Sequence, residues 1–383
     1  MSTDPVDAAA VAHTARLVAT VPTPLGAADA DAPRIQYGPR HRLLVQRGDD
    51  ELAVVGLGPT GQEHGAEFRF PAPWPRPFGD VTVSPRGDLA VFSGVHAVRA
   101  VDRTDKVHWE LPHGCWSAAK CTAAHASFEE YADDPRHRRA GRGSAAFSPD
   151  GKLVWAHVRH AQEWPHEEWL VLDAADGSVL GRTRTSTVGS ASAHFPHPDG
   201  SYMGLTVGEG HEDSPSLWGH WDGTDLGLER IGGVLLQDVS PSGGHFLCTD
   251  PGQWALYLHE SPDAQEDGRL NARDVVPPAP GENMARWDCE GAYPYEDGAV
   301  VSTDGHTAEP RHWLGPGHTR SARADRLLPA DLGRPIAGRP RPVGHPRRGP
   351  HGRAPVESGR HELSASRNAN ARPGQPVQRS RKA

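Results

Sequence analysis

Apolar and polar positions alternate along this chain in short runs that are separated by turn residues. In AAFSPDGKLVWA (residues 145–156), a first apolar run leads into Ser-Pro-Asp-Gly, and a second run follows with alternating apolar positions. Alternation with period two predicts a half-buried strand. Proline presets φ for the first turn position and glycine supplies the positive φ that completes the turn. The stretch therefore predicts a β-hairpin.

The same phrase returns along the chain, which predicts a repeat architecture. The strong copies are VTVSPRGDLAVF (81–92), AAFSPDGKLVWA (145–156), AHFPHPDGSYMG (193–204) and LQDVSPSGGHFL (236–247), and the weaker ones are IQYGPRHRLLVQ (35–46) and AYPYEDGAVVST (292–303). Further short strands follow each copy, such as those in EEWLVLDAADGSVLG (167–181). About four strands in each period of about 40 to 50 residues is typical of a β-propeller.

We therefore expect an all-β propeller over residues 32–314, with six or seven four-stranded blades in an incompletely closed ring. The alternative is a β-sandwich or a run of unrelated hairpins, since turns of this kind are common.

The phrase F-S-P-D-G-[KR]-x-[VIL] resembles the WD-repeat and YVTN-type propeller superfamilies, and the resemblance covers roughly residues 32–305. Trp-Asp dipeptides begin at Trp221 and Trp287, but the strict Gly-His to Trp-Asp spacing of true WD repeats is missing. Through GSAAFSPDGKLVWAHV, LVLDAADG and SPSGGH the chain is also similar to propeller-like proteins of high-GC bacteria. This resemblance implies a fold and no activity.

Two segments interrupt the strand pattern, and both predict a helix. Residues 1–31 form an N-terminal segment in which Asp4 and Pro5 are suited to begin a short helix over residues 4–19. Residues 112–143 form an insertion between the second and third blades, and its alanine-rich part, residues 116–134, has few turn residues. We expect one inserted helix there.

Residues 315–383 differ in composition from everything before them. No Phe, Trp or Tyr follows Trp313, and the stretch is rich in arginine, proline and glycine. Such a segment buries too little apolar surface to offset its ordering entropy, so we expect a disordered tail. Two origins stay open: a genuine basic tail, or translation of the wrong reading frame of a GC-rich gene.

Composition and charge narrow the classes of function. The N-terminus has neither the basic region nor the apolar run of a signal peptide, no later segment is apolar enough to span a membrane, and the four cysteines give no disulfide framework. These features predict a cytoplasmic protein without a membrane role. The net charge is −9 overall but +11 in residues 315–383, which leaves −20 for the body. Nucleic acid could therefore bind only through the tail, which has no aromatic residue to stack on bases.

Short catalytic motifs in the chain lack their required context. GLGPTG (56–61) matches a dinucleotide fingerprint, but prolines and glycine follow where a helix must begin. SAAK (117–120) matches Ser-x-x-Lys without the companion motifs of acyl-serine enzymes, and no Gly-x-Ser-x-Gly elbow exists. We interpret the first motif as a loop and the second as a helical turn.

Three clusters contain residue types that can bind a metal. Cys115, Cys121 and His125 offer soft ligands at the spacing C-x5-C-x3-H, but no fourth ligand is evident in the sequence. The second cluster contains His157, His160, Glu163, His166 and Glu167, and the third is the acidic loop Glu209, His211, Glu212 and Asp213. Surface histidines account for all three, so we predict no metal and no cofactor.

The favoured function is non-enzymatic: a rigid propeller that binds a protein partner through its loops, including residues 112–143 and 208–216. This expectation rests on analogy with other propellers and on the lack of a complete set of catalytic residues in the sequence. The candidate contact residues are Trp164, Trp116, Glu209, His211, Glu212 and Asp213. The alternative is a metal-dependent, lactonase-like propeller hydrolase, which needs carboxylates and histidines from several blades at the axis.

Overall fold

The fold was analysed in a computed structural model, which describes residues 20–330 apart from 38–41, 59–63, 118–120, 122, 139–140, 162–165, 210–213, 261–267, 277, 279–280, 282–283, 297, 304–311 and 317–327. The chain divides into two compact units, residues 1–345 and 346–383, and every described residue lies in the first. The described residues form six four-stranded antiparallel sheets, so the predicted all-β propeller of four-stranded blades is confirmed with six blades.

Each blade consists of four strands that are consecutive in the chain. Blade 1 contains β1 (Arg34–Tyr37), β2 (Arg42–Arg47), β3 (Glu51–Leu57) and β4 (His64–Pro71). Blade 2 contains β5 (Gly79–Val83), β6 (Leu89–Gly94), β7 (Ala97–Asp102) and β8 (Val107–Pro112). Blade 3 contains β9 (Ser144–Phe147), β10 (Leu153–Arg159), β11 (Glu167–Asp173) and β12 (Val179–Arg184).

The second half of the chain repeats this arrangement. Blade 4 contains β13 (Ala191–Pro196), β14 (Tyr202–Gly208), β15 (Ser216–Trp221) and β16 (Leu226–Ile231). Blade 5 contains β17 (Leu235–Val239), β18 (Phe246–Thr249), β19 (Ala255–His259) and β20 (Gly268–Asn271). Blade 6 contains β21 (Trp287–Tyr295), β22 (Gly298–Thr303), β23 (His312–Pro316) and β24 (Leu328–Ala330).

The first strands of all six blades surround a common axis. Residues of β1, β5, β9, β13, β17 and β21 line one central cavity of about 670 Å³. Because the strands of a blade alternate in direction, first and second strands always join at the same end of the ring, which we call the turn face. Second-to-third connections and the links between blades lie at the opposite end, the loop face. In the described residues no strand from one end of the chain joins a sheet at the other, which agrees with the expected incomplete closure.

The six repeat phrases are the hairpins that join first and second strands. In three of them the serine carbonyl accepts a hydrogen bond from the glycine N–H three residues later, at 2.8 to 2.9 Å. These pairs are Ser84 with Gly87, Ser148 with Gly151 and Ser240 with Gly243, and each glycine has a positive φ. The repeat is therefore a local hydrogen-bonded turn that the chain forms once per blade.

Buried tryptophans fill the spaces between blades. Trp155 and Trp169 of blade 3 lie 5.3 Å apart between ring centroids and pack with Trp221 of blade 4. A Cβ at Gly219 would come within 2.8 to 2.9 Å of the Trp155 and Trp169 rings. Glycine at this position in β15 therefore lets two indoles enter the interface between the blades.

The inserted helix is not found at its expected position among the described residues. Across residues 116–134 they contain a single 3₁₀ turn, Phe128–Glu130, and the one α-helix of the described chain is Ala272–Val275. The alanines of this stretch favour a helix by propensity, but the sequence lacks the apolar periodicity of an amphipathic helix. Instead Cys115, Trp116 and Tyr131 are drawn into the core beneath the loop, so tertiary packing overrides propensity here.

The two ends of the chain are described in part. The N-terminal helix expected over residues 4–19 lies outside the described residues. The last sheet runs past residue 314, because β23 ends at Pro316 and β24 pairs with it at Leu328–Ala330. Beyond Ala330 the expected tail lies outside the described residues.

Candidate functional site

The 112–143 insertion crosses the loop face from blade 2 to blade 4. At its start the N–H of Gly114 donates to Arg159 O of blade 3 at 2.9 Å, and the N–H of Trp116 donates to Val95 O of blade 2 at 2.9 Å. At its end the N–H of Arg142 donates to Ser190 O, next to blade 4, at 3.1 Å. Both ends of the insertion are thus fixed to the ring before the chain enters β9.

Trp116 is the residue around which the start of the insertion packs. Its side chain is fully buried, with 0% of its surface exposed, and the Arg159 guanidinium lies 4.8 Å from the centroid of its ring. Arg159 also donates to the carbonyls of Cys115 and Gly189, both at 3.3 Å. Trp116 was predicted as a contact residue, and its burial gives it a positioning role instead.

A buried carboxylate lies under the insertion and organises the neighbouring loop. Glu167, at the start of β11, is 1% exposed and accepts from Thr187 Oγ1 and from the N–H of Gly189, each at 2.7 Å. Its Oε2 lies 3.3 Å from Nε2 of His157. Burial alone would raise the pKa of Glu167, but the adjacent His157 ring and the hydrogen bonds from Thr187 and Gly189 hold that pKa below its usual value. The carboxylate is therefore charged and fixes the 185–190 loop beside the insertion.

Aromatic rings attach the middle of the insertion to blade 2. The Tyr131 hydroxyl lies 2.6 Å from Nδ1 of His96, and both side chains are buried. Phe128 packs edge-on against Phe78 with 4.9 Å between ring centroids. The insertion therefore has a buried base, and its outer side, including Ala124, Glu129 and Arg136, is exposed.

Four side chains of the insertion converge on one point. Their ligand atoms all lie within 4.8 Å of one another, and the residues are Cys115, Cys121, His125 and His137. The sequence pointed to the first three and missed His137. The full spacing is C-x5-C-x3-H-x11-H, and the last interval is too long to be recognised without the structure.

An aspartate that lines the loop-face end of the central cavity lies near several arginines. Asp80 of β5 pairs with Arg34 of β1 at 3.0 Å between Oδ1 and Nη1. Burial would raise the pKa of Asp80, but Arg34, Arg142 and Arg47 together hold it below its usual value. Arg47 is itself buried, and burial lowers its pKa to about 10. One carboxylate thus faces three guanidinium groups within a body of net negative charge.

The turn-face end of the cavity has a different lining. The prolines of the repeat turns, Pro85, Pro149 and Pro241, line it together with Glu296 of blade 6. Glu296 accepts hydrogen bonds from both the N–H and the hydroxyl of Ser242, at 2.7 and 2.5 Å. This carboxylate is therefore engaged by the neighbouring blade.

Of the remaining predicted contact residues, the structure describes only Glu209. Glu209 accepts from the N–H of Val188 at 2.6 Å, which ties the 209–215 connection to the 185–190 loop. Trp164, His211, Glu212 and Asp213 lie outside the described residues. The structure thus links Glu209 to the neighbourhood of the insertion.

The rejected motifs can be placed in part. The motif at 56–61 begins within β3, and its residues 59–61 lie outside the described residues. The element that follows β3 is the antiparallel strand β4 and not a helix, as the loop interpretation expected. Ser117 is buried and its hydroxyl donates to Arg136 O at 3.3 Å, whereas residues 118–120 lie outside the described residues.

Comparison with known proteins adds little beyond the fold. No family model and no curated protein sequence matches the chain. Among solved structures, the β-propeller domain of Myceliophteria thermophila Swd1 is similar, with 11% identity over 66% of this chain and 71% of that one, at a TM-score of 0.43. The propeller of the Pyrococcus furiosus trilobed protease has 10% identity over 79% and 84%, at 0.44. KlAtg21, solved with the coiled coil of AgAtg16, has 10% identity over 72% and 77%, also at 0.44. At sequence identities and TM-scores this low, none of these structures indicates what this chain binds.

No described helix has the length and apolar character to cross a membrane.

Proposed function

We propose that this chain is an interaction protein that binds a polypeptide partner through its loop face. The contact surface comprises the outer side of the 112–143 insertion together with the 185–190 and 208–216 connections. The observation that carries the proposal is the insertion itself, which is long, is anchored at both ends and leaves its outer side exposed.

Loop length and ordering entropy support this proposal. Connections between strands usually have about 4 to 6 residues, and loops longer than about 12 to 15 residues without secondary structure are commonly functional. Fixing a residue in one backbone conformation costs about 1–2 kcal/mol. The buried contacts of Trp116, Tyr131 and Arg159 offset that cost, and they leave the outward residues free to meet a partner.

Two of the five large apolar side chains that are exposed in the described residues lie on the loop face. These are Val188 and Met284, each 50% exposed and each in a link between blades. They can contribute apolar area to a contact with a partner. Trp164, in the connection between β10 and β11, remains a proposed anchor for the same contact because tryptophan is enriched at binding hot spots.

A metal-dependent hydrolase remains the second candidate, since carboxylates and a histidine from four blades line the central cavity. These residues are Asp80, His194, Asp238 and Glu296. They are held by protein groups: Asp80 by Arg34, Asp238 by the N–H of Tyr293, and His194 by the indole N–H of Trp169 at 2.9 Å. The first suspects for the ligands of such an enzyme are the acidic-loop residues Glu209, His211, Glu212 and Asp213. Glu209, the described member of this set, is not among the residues that line the cavity.

Site-specific photo-crosslinking in cells of the native host tests the proposal. A photoreactive amino acid is placed at Ala124 on the outer side of the insertion and, as the matched control, at Lys152 in a turn-face hairpin whose side chain is 79% exposed. We expect one defined polypeptide adduct at position 124 and none at position 152. The adduct should disappear when residues 117–140 are replaced by a short Gly/Ser linker in an otherwise folded chain.

Two results would count against a partner at this face. Equal labelling at both positions would indicate non-specific contact. Absence of any adduct at position 124, together with hydrolysis of lactone or ester substrates that is lost in Asp238→Asn, would favour the enzyme.

A further inference from the structure

We propose that Cys115, Cys121, His125 and His137 form a structural Zn²⁺ site that fastens the insertion to the ring. The inference stands apart from partner binding, because a metal can order the loop whatever the loop contacts. Below, these four residues are called the cysteine–histidine cluster.

The ligand set matches zinc in number and type. Two sulfur and two nitrogen atoms within 4.8 Å of one another can surround a single ion. The Sγ atom of Cys121 lies 3.4 Å from Nε2 of His125. Ligands of a tetrahedral zinc site with usual Zn–S and Zn–N bonds are separated by about 3.6 Å. Tetrahedral sets of thiolate and imidazole select Zn²⁺ over Mg²⁺ and Ca²⁺, which prefer oxygen ligands.

Each histidine of the cluster has a carboxylate behind its ring. Oε2 of Glu130 lies 3.2 Å from Nδ1 of His125, and Oδ2 of Asp134 lies 3.2 Å from Nδ1 of His137. This arrangement places a proton on each Nδ1 and leaves each Nε2 lone pair for a metal. A carboxylate bonded to the second nitrogen of a histidine ligand is a recurring feature of zinc sites.

Those two carboxylates are themselves held in place. Glu130 accepts from the N–H of Ala126 at 3.1 Å through its other oxygen. Asp134 accepts from the Arg136 guanidinium at 2.6 Å and from the Arg136 N–H at 3.0 Å. The carboxylates that orient the two histidines are therefore fixed in position. This support distinguishes the cluster from four side chains that are close by chance.

An unpartnered histidine nitrogen is the independent sign that a ligand is required. His137 is 3% exposed, and its Nε2 makes no hydrogen bond to any described residue, whereas its Nδ1 faces Asp134. Its ring stacks on Tyr131 with 4.9 Å between centroids. A buried ring nitrogen without a partner is costly, and a bond from Nε2 to a metal would remove that cost.

The positions of the ligands point to a structural role. Cys115 lies next to the backbone hydrogen bonds that tie the insertion to blades 2 and 3, whereas the other three ligands belong to the body of the loop. Four protein ligands fill a tetrahedral coordination sphere, so no position stays open for substrate. Binding of Zn²⁺ would release the two thiol protons to solvent and would join the loop to its base.

Metal content of the full-length protein is the first measurement. The chain is purified under reducing conditions, and its zinc is measured by elemental mass spectrometry and after reconstitution with Zn²⁺ or Co²⁺. We expect one ion per chain, and with Co²⁺ the strong d–d absorption of tetrahedral cobalt together with thiolate charge-transfer bands. Cys121→Ser and His137→Gln should lose both signals. Cys289→Ser, which changes a half-buried cysteine outside the cluster, should keep them.

Two further readouts keep the proposal testable if a ligand variant misfolds. Asp134→Asn leaves all four ligands intact and should weaken Zn²⁺ affinity about 10- to 100-fold. Removing the metal from the wild-type chain with a chelator should accelerate tryptic cleavage at Arg136 and Arg138 and leave cleavage at Arg86 unchanged. A reduced, folded chain that binds no Zn²⁺ or Co²⁺ would overturn the proposal. So would cobalt spectra unchanged in Cys121→Ser, or a Cys115–Cys121 disulfide in the protein isolated without reductant that accounts for all of the loop's protease resistance.

Discussion

Arg42 and Pro294 join the first and last blades across a separation of 252 residues. The Arg42 guanidinium donates a hydrogen bond to Pro294 O at 3.2 Å. Many propellers close their ring with a strand shared between the terminal blades, but in the described chain each sheet takes its four strands from one continuous stretch. The Arg42 side chain therefore links the terminal blades at this seam, where no strand is shared between them.

Arg42→Met should weaken the seam. The substitution removes a partly buried, charge-assisted hydrogen bond and should lower the free energy of unfolding by about 1–3 kcal/mol. Urea denaturation followed by tryptophan fluorescence measures the change. Arg86→Met is the control, because that guanidinium is 76% exposed and its ion pair with Asp88 should contribute less than about 1 kcal/mol. Equal losses of unfolding free energy in the two variants would show that the Arg42 contact stabilises the protein no more than an exposed ion pair does.

Glu167→Gln should destabilise the loop face strongly. The change leaves Arg159 and His157 buried without their carboxylate, and breaking such a buried pair costs about 3–5 kcal/mol. Glu168→Gln, at the next position, removes only an ion pair with the exposed Arg182 and should cost about 1 kcal/mol or less.

The effect of Glu167 should also depend on pH. Folding lowers the pKa of Glu167, so its contribution is complete above the unfolded value of about 4.3 and is lost as the pH falls toward the folded pKa. The stability gap between wild type and Glu167→Gln should therefore be largest near neutral pH and narrow below about pH 4.3. Unfolding curves at a series of pH values measure this gap, and a gap that widens in acid would contradict the assignment.

Gly177→Ala should cost more than Gly223→Ala, although both glycines have a positive φ. A Cβ at Gly177 would lie 2.6 Å from the Trp109 ring, whose Nε1–H is fixed by a 3.0 Å hydrogen bond to Ala174 O. Nothing lies within 4 Å of a Cβ at Gly223. The backbone strain alone is about 1 kcal/mol, and the overlap with the indole should add about 1–3 kcal/mol. Thermal unfolding of the two variants, with wild type beside them, separates the two contributions.

Tyr131→Phe should loosen the insertion from blade 2. The lost hydroxyl leaves Nδ1 of His96 buried without its partner, at a cost of about 1–3 kcal/mol. Tryptic cleavage at Arg136 and Arg138 should become faster. Tyr202→Phe, in a ring that stacks on His220, should leave that rate unchanged. Cleavage that is slower or unaltered in Tyr131→Phe would refute the anchoring role.

The propeller could be predicted from the sequence because its signal is local. Ser148, Pro149 and Gly151 form one turn by themselves, and the alternation on either side needs no distant partner to be recognised. Even the weak copies at 35–46 and 292–303 proved to be hairpins of blades 1 and 6, which gives the blade count.

The loop face could not be predicted in the same way, because its contacts are tertiary. His137 joins Cys115 only after the loop has folded back over Tyr131, and no periodicity marks that path. The alanines of the insertion suggested a helix, but buried contacts at Trp116 and Tyr131 impose an irregular course. Trp116 was expected at a contact surface for the same reason: sequence alone does not show which face of a loop is covered.

The construction of every blade from four consecutive strands has a consequence for synthesis. Each blade can complete its hydrogen bonds as soon as its own stretch has left the ribosome, without waiting for the C-terminus. Contacts close in sequence form fast, and successive blades can then dock on those already made. An interruption late in translation would release a chain whose early blades are already folded, so quality control would have to recognise the missing last blade rather than an unfolded chain.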